Sequence, residues 1–393
     1  MTDNLAAQFL LDPAVTFLNH GSFGACPRPV FAAYQAWQLQ LERQPVAFLD
    51  PARGLSGWMR EARVALAGEI GASPDDLVGV MNATVGLNIV AQSLDLKPGD
   101  EILTTDHEYA ALEKTWAYVA RRSGARIMPV TIPLPLTSAA QFTDTIMAGM
   151  TDRTRVLFLS HITSATALVF PIAGVIAAAR ARGIWSVIDG AHTPGHIPLD
   201  LDALGADFYA GNCHKWLMAP KGAAFLHVRN ELQPMINPLV ISHGWTEDRA
   251  NPAPFGNTPF IDAIEMQGTR DPAAWLTVPD AIAFRRAHDW DAVAARCHDL
   301  VQDTAGRVAC LTGLPQLCSP AFCAPQMAAM PIPDCEPLAL QKTLLAQYGI
   351  EIPVFKWQDR TIVRVSAQGY NTQPQMDLLV TALRNLLTLS NAA

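Results

Sequence analysis

The sequence predicts an α/β protein with a doubly wound, mostly parallel sheet in a large domain, followed by a smaller α+β domain. Along the first part of the chain, short apolar runs alternate with helical patterns of about 10–15 residues, which is typical of crossover connections between parallel strands. After about residue 230 a passage rich in Pro, Gly and Asn, ISHGWTEDRANPAPFGNTPF, interrupts this alternation. The length of 393 residues and the apolar content of 50% suffice for two domains with an extensive core.

Five apolar runs in the first part of the chain are predicted as strands of the sheet. In chain order they are LVGVM, EILTT, RIMPVTI, RVLFLS and IWSVID. Between them, helical spacing of apolar residues predicts helices over 55–70, 84–94, 110–123 and 172–182. The stretch 156–179 carries no formal charge, but Pro171 and several polar side chains divide it. We therefore predict a strand, a loop and a helix there instead of a membrane span.

The second part of the chain mixes helical patterns and strand-like runs in a different order. A helical pattern covers 278–312, after which MAAMPI is predicted as a strand and 337–348 as a helix. Two further strand-like runs, IEIPVF and TIVRVSA, precede a last helical pattern over 373–389. This order predicts the smaller α+β unit.

The composition excludes several classes of partner. The chain carries 28 Lys and Arg against 36 Asp and Glu, a formal net charge of −8. Nucleic acids and anionic membranes bind basic patches, so we expect a small-molecule partner and neither of these. The seven cysteines follow no metal-binding or disulfide-framework spacing, which favours reduced thiols in a cytoplasmic protein.

An aspartate and a lysine 26 positions apart carry the clearest chemical signal. Asp189 ends the buried run IWSVID, so we expect its carboxylate at the ligand-binding edge of a parallel sheet. Lys215 lies in the small, polar run GNCHK after another strand-like run, DFYA. This pair is what pyridoxal phosphate requires, because a neutral amine attacks its aldehyde and a carboxylate keeps its pyridine nitrogen protonated, so that the ring accepts electrons.

A second signal is the start of the helical pattern that follows LVGVM. The residues NATVG offer backbone N–H groups and the positive end of a helix dipole to a phosphate. Thr or Asn at a helix start also serves as an ordinary cap, so both interpretations stay open at this point. Neither GxGxxG nor GxxxxGK(S/T) occurs, which disfavours a dinucleotide or a P-loop nucleotide.

Eight motifs extend this signal in order along nearly the whole chain. They are FLNHGSFGACPRPV, NATVG, TTDHEYAAL, SHITSATALVFPI, VIDGAHTPGHIPLDL, AGNCHKWLMAPKG, MQGTRDPAAW and VRVSAQGYNT. Together they resemble the class V aminotransferase family of fold-type I pyridoxal-phosphate enzymes, and most closely its isopenicillin N epimerase-like branch. The resemblance implies an aspartate aminotransferase-like fold, with an N-terminal segment (1–25) that closes over the active site, a large cofactor-binding domain (26–255) and a small C-terminal domain (256–393). It also implies a homodimer with shared active sites.

The resemblance assigns residues to the cofactor, pyridoxal 5'-phosphate. It implies that Lys215 carries the cofactor as a Schiff base, that Asp189 holds the pyridine nitrogen and that His192 contacts the phenolic oxygen. Ser164, next to Thr163, falls where many relatives have an asparagine near that oxygen. A phosphate site is implied at Ala83, Thr84, Asn212 and His214, with Thr269 reaching the phosphate of the other subunit.

The same resemblance assigns residues to the substrate. Arg364 in VRVS matches the arginine that binds the α-carboxylate, a role suited to a planar, bidentate guanidinium. Asn19 and His20 match the segment that closes over the substrate. His107 matches the residue stacked over the cofactor ring, and Tyr109 is the alternative for that position on the substrate side.

The implied activity is chemistry at Cα of an α-amino acid, through an external aldimine and a quinonoid, with Lys215 as general base. Three outcomes stay open at this point. Reprotonation on the opposite face, with His107 or Tyr109 as the acid, gives epimerisation, and reprotonation of the cofactor gives transamination. Loss of a β-substituent gives a C–S lyase.

Three other functions are disfavoured by the residues. A metal-dependent hydrolase could use Asp189, His192 and His196, but Thr-Pro-Gly between the histidines predicts a turn, so we expect no metal and a structural His196. A cysteine desulfurase needs a nucleophilic cysteine shortly before the carboxylate-binding strand, and 350–364 contains none. A non-catalytic scaffold would be expected to lose the lysine or the aspartate, and both are present.

Overall fold

The structure, a computed structural model, describes residues 5–249 and 253–387 and arranges its strands in three sheets. The strands are β1 (Thr16–Phe17), β2 (Leu77–Val80), β3 (Glu101–Thr105), β4 (Arg126–Val130), β5 (Thr154–Ser160), β6 (Trp185–Gly190), β7 (Phe208–Asn212), β8 (Ala224–Val228), β9 (Met327–Ile332), β10 (Ile350–Glu351), β11 (Val354–Trp357) and β12 (Arg360–Ser366). The α-helices are α1 (His20–Phe23), α2 (Arg28–Arg43), α3 (Pro45–Leu49), α4 (Leu55–Ile70), α5 (Ala83–Ser93), α6 (Ala110–Ser123), α7 (Ala139–Gly149), α8 (Ala173–Ala181), α9 (Leu201–Leu204), α10 (Pro259–Glu265), α11 (Ala273–Leu276), α12 (Val278–Ala287), α13 (Trp290–Thr312), α14 (Pro337–Tyr348) and α15 (Gln373–Leu386).

The largest sheet has seven strands in the order β2-β8-β7-β6-β5-β3-β4. The pairings from β7 through β6, β5 and β3 to β4 are parallel, and only β8 runs antiparallel to its two neighbours. The predicted mostly parallel sheet and fold-type I architecture are therefore confirmed. All five predicted strands lie in this sheet, and the strand β8 was not predicted.

Apolar side chains cover both faces of this sheet, which explains why its strands appear as continuous apolar runs. On β6, Val187 faces the layer formed by α5 and α6, and Ile188 faces the opposite layer, which contains α4, α8 and α12. Both side chains are fully buried. Because the sheet is covered on both faces, polar groups gather at the carboxyl ends of the parallel strands.

The smaller unit is built on the antiparallel sheet β11-β12-β9, on which α13, α14 and α15 pack. The N-terminal strand β1 pairs in parallel with β10, so the N-terminal segment is attached to this unit. Residues 259–287 follow the predicted connection and pack against α2, α4 and β2 of the larger unit through α10, α11 and α12.

Two predicted elements are divided in the structure. The predicted helix over 278–312 is two helices, because Asp289 adopts a left-handed conformation with φ of 46° at the start of α13. The run IEIPVF is divided into β10 and β11, with Pro353 lying between them. The stretch 156–179 forms most of β5, a loop and α8, as predicted, and no helix in the described ranges is long and apolar enough to cross a bilayer.

Candidate active site

Lys215 lies in the turn after β7, beside the end of β6. The register of these parallel strands pairs Ala210 with Asp189, so the turns after both strands emerge at the same edge of the sheet. His192 follows Asp189 in the turn after β6, and its Nε2 lies 2.9 Å from Nζ of Lys215. The structure thus brings together Lys215, Asp189 and His192, three of the residues that the resemblance assigns to the cofactor.

The imidazole of His192 is held in one tautomer by Trp216. The indole Nε1 of Trp216 donates a hydrogen bond to Nδ1 of His192 at 3.3 Å. An indole N–H can only donate, so Nδ1 of His192 carries a lone pair and the proton of the neutral ring is on Nε2. The Nε2–H therefore donates to Nζ of Lys215, and only a neutral amine can accept that bond.

Burial shifts the pKa values of both Lys215 and Asp189. Burial lowers the pKa of Lys215, the nearby Arg364 lowers it further, and Asp189 acts in the opposite direction. Burial also raises the pKa of Asp189, whose carboxylate accepts a hydrogen bond from the backbone N–H of Ala191 at 2.9 Å. The surroundings thus favour an uncharged, nucleophilic lysine, and a cation beside Asp189 would stabilise its ionised form.

His196 contacts both Trp216 and His192. Its ring stacks on Trp216 with centroids 3.9 Å apart and planes 18° apart. The backbone N–H of Gln326 donates to Nε2 of His196 at 2.9 Å, so the Nδ1–H donates to the carbonyl oxygen of His192 at 3.0 Å. His192 and His196 thus direct their ring nitrogens to different hydrogen-bond partners, and His196 has a structural position.

Among the described residues, one group of three potential metal ligands is close together, and it consists of Asp76, Asp202 and His227.

The N-terminal segment packs against the backbone of the lysine turn. His20 is fully buried, with Nε2 3.0 Å from the carbonyl oxygen of Lys215 and Nδ1 2.9 Å from the hydroxyl of Tyr370. Gly24, with φ of 71°, approaches so closely that a Cβ would lie 2.0 Å from the carbonyl oxygen of His214. His20 therefore contacts the lysine turn, and the side chain of Asn19 contacts Glu351 at 3.3 Å.

The predicted phosphate residues converge at the start of α5. Asn82 caps this helix by accepting from the N–H of Val85 at 2.9 Å, and Thr84 lies in the first turn. The Oδ1 of Asn212, at the end of β7, accepts from the N–H of Ala83 at 2.8 Å. A helix N-terminus beside the lysine turn is suited to a phosphate group.

Next to these residues, His214 is 9% exposed. Its Nδ1 donates to the carbonyl oxygen of Ala223 at 3.2 Å. The structure therefore brings four of the five predicted phosphate residues to one edge of the sheet.

Arg364 is a buried cation without a carboxylate partner among the residues that the structure describes. Its side chain is on β12 and only 5% exposed. Nη1 donates to the carbonyl oxygen of Ser164 at 2.6 Å, Nη2 donates to Oγ of Ser22 at 2.9 Å, and Nε has no partner. Burial lowers the pKa of Arg364 to about 10. An anionic ligand at this position would compensate the buried charge.

The two candidates for the ring-stacking position have different surroundings. His107 is fully buried, its Nδ1 lies 2.7 Å from Oγ1 of Thr166, and its ring packs 4.6 Å from Trp357 and 5.5 Å from Phe170. Tyr109 is 46% exposed at the start of α6. Of the two, only Tyr109 has open surface available to a ligand.

Thr269 lies apart from these residues in this chain. It follows α10 and lines a cavity of ≈ 630 Å³ whose wall includes Met59, Phe255 and Glu265, and Lys215 is not among the lining residues described. A role for Thr269 at the phosphate would need a second copy of the chain.

Four site residues escaped the sequence reasoning: Ser22, Thr166, Trp216 and Tyr370. Trp216 stands directly after Lys215 in HKW, and this adjacency was the only local signal. Ser22 and Tyr370 reach Arg364 and His20 only because β1 joins the smaller unit.

The side chains around Lys215 fit pyridoxal phosphate. Asp189 is a buried carboxylate suited to a protonated pyridine nitrogen, and His192 presents an N–H that a phenolic oxygen can accept. Lys215 is surrounded so that its amine is neutral, and the start of α5 faces the same edge of the sheet. Arg364 is a buried positive charge that could bind a carboxylate ligand.

Known proteins resemble this chain over nearly its whole length. The isopenicillin N epimerase of Amycolatopsis lactamdurans is 37% identical over 392 residues, which cover 98% of each chain. The isopenicillin N epimerase of Streptomyces clavuligerus is 35% identical and covers 96% of each chain. The probable L-cysteine desulfhydrase, chloroplastic, of Arabidopsis thaliana is 29% identical over 96% of this chain and 84% of its own.

Solved structures share the fold. The cysteine desulfurase CsdA of Escherichia coli has a TM-score of 0.81 at 24% identity and covers 97% of each chain. The enzyme C-DES, in a structure with glycine covalently linked to its PLP cofactor, has a TM-score of 0.80 at 20% identity and covers 96% of this chain and 98% of its own. The family model for aminotransferase class-V matches residues 27–379. With pyridoxal 5'-phosphate as its cofactor, the chain belongs to the class-V aminotransferase family.

Proposed function

We propose that this enzyme inverts the configuration at Cα of an α-amino acid, in the manner of an isopenicillin N epimerase. The observation that carries the proposal is the buried guanidinium of Arg364, which lacks a carboxylate partner among the described residues and lies near Lys215. A substrate α-carboxylate at Arg364 would present its Cα to the neutral amine. The two isopenicillin N epimerases at 37% and 35% identity support this choice among reactions at Cα.

Substrate binding is proposed to depend on a short network around Arg364. Ser164 and Ser22 each accept a hydrogen bond from one of the two terminal nitrogens of the guanidinium. Their bonds orient the planar group before a carboxylate arrives, which reduces the conformational entropy lost on binding. Because Ser22 belongs to the N-terminal segment, this segment contributes to closing the site.

Pyridoxal phosphate supplies an electron sink for the negative charge left at Cα when its proton departs. The neutral amine of Lys215 is proposed to remove that proton, since burial and the nearby Arg364 lower the pKa of Lys215 and favour the uncharged amine, whose lone pair can accept a proton. Asp189 would keep the pyridine nitrogen protonated, and the Nε2–H of His192, which donates to Lys215 here, would donate to the phenolic oxygen of the bound cofactor instead. Burial of Asp189 and His192 excludes water from both contacts.

Inversion also needs an acid on the opposite face of Cα. Tyr109 is proposed for this position in preference to His107, because Tyr109 is 46% exposed and His107 is enclosed by Trp357 and Phe170. A phenol can serve as the acid because its O–H group is a proton donor. His107 is then a residue that supports the site through Thr166.

Elimination of a β-substituent, as in a C–S lyase, is the second candidate. The L-cysteine desulfhydrase of Arabidopsis thaliana, similar over 96% of this chain, favours it. A persulfide-forming desulfurase is less well supported, because Cys213, the cysteine beside Lys215, is fully buried and burial raises the pKa of its thiol.

A panel of amino acids in heavy water tests the proposal. Epimerisation predicts deuterium at Cα together with both enantiomers, without keto acid or ammonia. Ammonia with released thiol would establish the lyase instead, and keto acid without ammonia would establish a transaminase. The variant Lys215→Ala controls for exchange that does not depend on the lysine. An absence of exchange with every amino acid would contradict both proposed functions.

A homodimer is proposed on the position of Thr269. This residue lines an open cavity away from Lys215, where it would be placed to reach the site of a second copy. Light scattering would show a mass of twice 42.5 kDa, and Thr269→Ala would weaken cofactor binding without changing that mass.

A cytoplasmic location is also proposed, supported by cysteines that follow no disulfide framework.

A further inference from the structure

Two cysteines outside the proposed chemistry lie in direct contact. The Sγ atoms of Cys318 and Cys323 are 3.1 Å apart, at either end of the short helical turn Pro320–Phe322. Cys318 is 8% exposed, and Cys323 is half-buried. A disulfide requires a sulfur–sulfur distance of about 2.0 Å, so a local approach of about 1 Å would be enough to form one.

The two thiols have different chemical character. The contact with Cys318 lowers the pKa of the Cys323 thiol, and burial acts in the opposite direction. The same contact, together with burial, raises the pKa of Cys318. A more acidic, more accessible thiol beside a buried one is the arrangement in which the first sulfur reacts with an external oxidant and the second resolves the product.

The segment that carries both cysteines is hydrogen-bonded to the loop 163–169. The N–H of Ala324 donates to the carbonyl oxygen of Ala167 at 3.0 Å, and the N–H of Val169 donates to the carbonyl oxygen of Phe322 at 2.8 Å. Both sulfur-bearing residues also share the wall of a small cavity with Thr166. Cys323 is therefore connected to this loop through the backbone hydrogen bonds of its two chain neighbours, Phe322 and Ala324.

This loop holds two residues of the candidate active site. Its Ser164 accepts from Arg364 at 2.6 Å through its carbonyl oxygen. Its Thr166 contacts Nδ1 of His107 at 2.7 Å. The loop thus connects the cysteine pair to the guanidinium that is available for a carboxylate.

We propose that Cys318 and Cys323 form a thiol–disulfide site whose oxidation, through the loop 163–169, changes the affinity of Arg364 for a carboxylate ligand. The oxidant is a low-molecular-weight disulfide, for example glutathione disulfide. The Cys323 thiolate attacks one of its sulfurs, which forms a mixed disulfide and releases one glutathione thiolate. The Cys318 sulfur then attacks Sγ of Cys323, its proton passes to solvent, and the second glutathione thiolate leaves. In total, two protein thiols are oxidised and one glutathione disulfide is reduced to two glutathione molecules.

Peptide mapping of the holoenzyme tests the covalent step. After treatment with glutathione disulfide and blocking of free thiols, chymotrypsin cleaves after Phe322, so an internal disulfide leaves two peptides joined. We expect this joined pair in the wild type and in Cys310→Ser, which removes an exposed cysteine. Cys318→Ser and Cys323→Ser should give separate peptides. Separate peptides from the oxidised wild type, with only glutathione adducts, would overturn the proposal.

Ligand affinity tests the coupling to Arg364. Glycine is titrated against reduced and oxidised holoenzyme, with the absorbance of the cofactor as readout. We expect the Kd for glycine to change at least threefold on oxidation in the wild type and in Cys310→Ser, and to stay constant in Cys323→Ser. A joined peptide pair with an unchanged Kd would show that the disulfide forms without affecting the site, and would overturn this part of the proposal. The test uses binding alone, so it is independent of which reaction the enzyme performs.

Discussion

The indole of Trp216 donates a hydrogen bond to Nδ1 of His192 at 3.3 Å, although the two residues are 24 positions apart. This bond decides where the proton of His192 resides, and His192 in turn contacts the amine of Lys215 at 2.9 Å. Trp216, which has no proposed contact with the cofactor or the substrate, therefore sets the hydrogen-bonding role of His192. Trp216 is a positioning residue for Lys215.

Replacing Trp216 by Phe should raise the pKa of Lys215. Without the indole donor, His192 can adopt the other tautomer and accept from a charged lysine, which stabilises the ammonium form. A hydrogen bond worth about 1 kcal/mol corresponds to a shift of about half to one pH unit. The measurement is the pH dependence of pyridoxal-phosphate incorporation into the apoprotein, together with the NMR signals of the His192 ring nitrogens.

A matched control is Trp275→Phe, which removes the Nε1–H of another buried tryptophan whose indole has no hydrogen-bond partner. This variant should leave the profile unchanged. Equal shifts in both variants would assign the effect to packing and contradict the role of Trp216.

The rate at which the wild-type apoprotein incorporates pyridoxal phosphate should depend on pH. The midpoint of this dependence should lie far below the pKa of a free lysine. Only the neutral amine is nucleophilic, and burial lowers the pKa of Lys215 to about 7. The rate should therefore rise with pH up to about 7 and then level off. An ordinary lysine would continue to gain about tenfold per pH unit up to a pKa of about 10.4. Stopped-flow absorbance measures this rate, and a continued rise above pH 8 would contradict the neutral-amine assignment.

Substitution of Arg364 should affect binding far more than stability. Arg364→Lys retains the charge but loses the two-pronged geometry, so we expect KM for an amino acid to rise at least tenfold, which is about 1.4 kcal/mol. Arg364→Met removes a buried cation that lacks a carboxylate partner among the described residues, so the urea midpoint should be equal or higher. Ser22→Ala, which removes one hydrogen bond to Arg364, should raise KM by a smaller factor. A large loss of stability in Arg364→Met would indicate that this arginine serves the fold.

The ion pair of Arg63 and Glu265 should be important for stability. Both side chains are almost fully buried, and Glu265 also accepts from the N–H of Gly79 at 2.9 Å, which joins α4, α10 and β2. Breaking a buried pair leaves an uncompensated charge, so Glu265→Gln should cost about 3–5 kcal/mol. Urea unfolding measures this loss.

The exposed pair of Arg307 and Asp377 provides the comparison. Arg307→Ala should leave the urea midpoint almost unchanged, because solvent screens that pair. Similar losses in the buried and the exposed variants would contradict the importance of burial.

The sequence alone was sufficient for most elements and for the residues defined by local patterns. Helical spacing predicted α4 and α6 at their observed ends, and the alternation of runs predicted the parallel sheet. Because every parallel strand ends at the same edge of its sheet, Asp189 and Lys215 could be assigned to one site before any contact was known. The strand β8 was missed because its short connection to β7 does not follow that alternation.

Tertiary structure decided which residues surround Lys215, and it also decided the protonation state and orientation of those residues. His20, Ser22 and Tyr370 enter the site only because β1 pairs with β10, a contact between segments more than 330 positions apart. In the sequence His107 is the match to the ring-stacking position and Tyr109 is the alternative, and only burial distinguishes the enclosed imidazole from the open phenol. A hydrogen-bond partner and an exposed surface depend on which elements pack together. The spacing of residues along the chain therefore predicts the edge where the chemistry lies, and packing decides the protonation state and orientation of each group there.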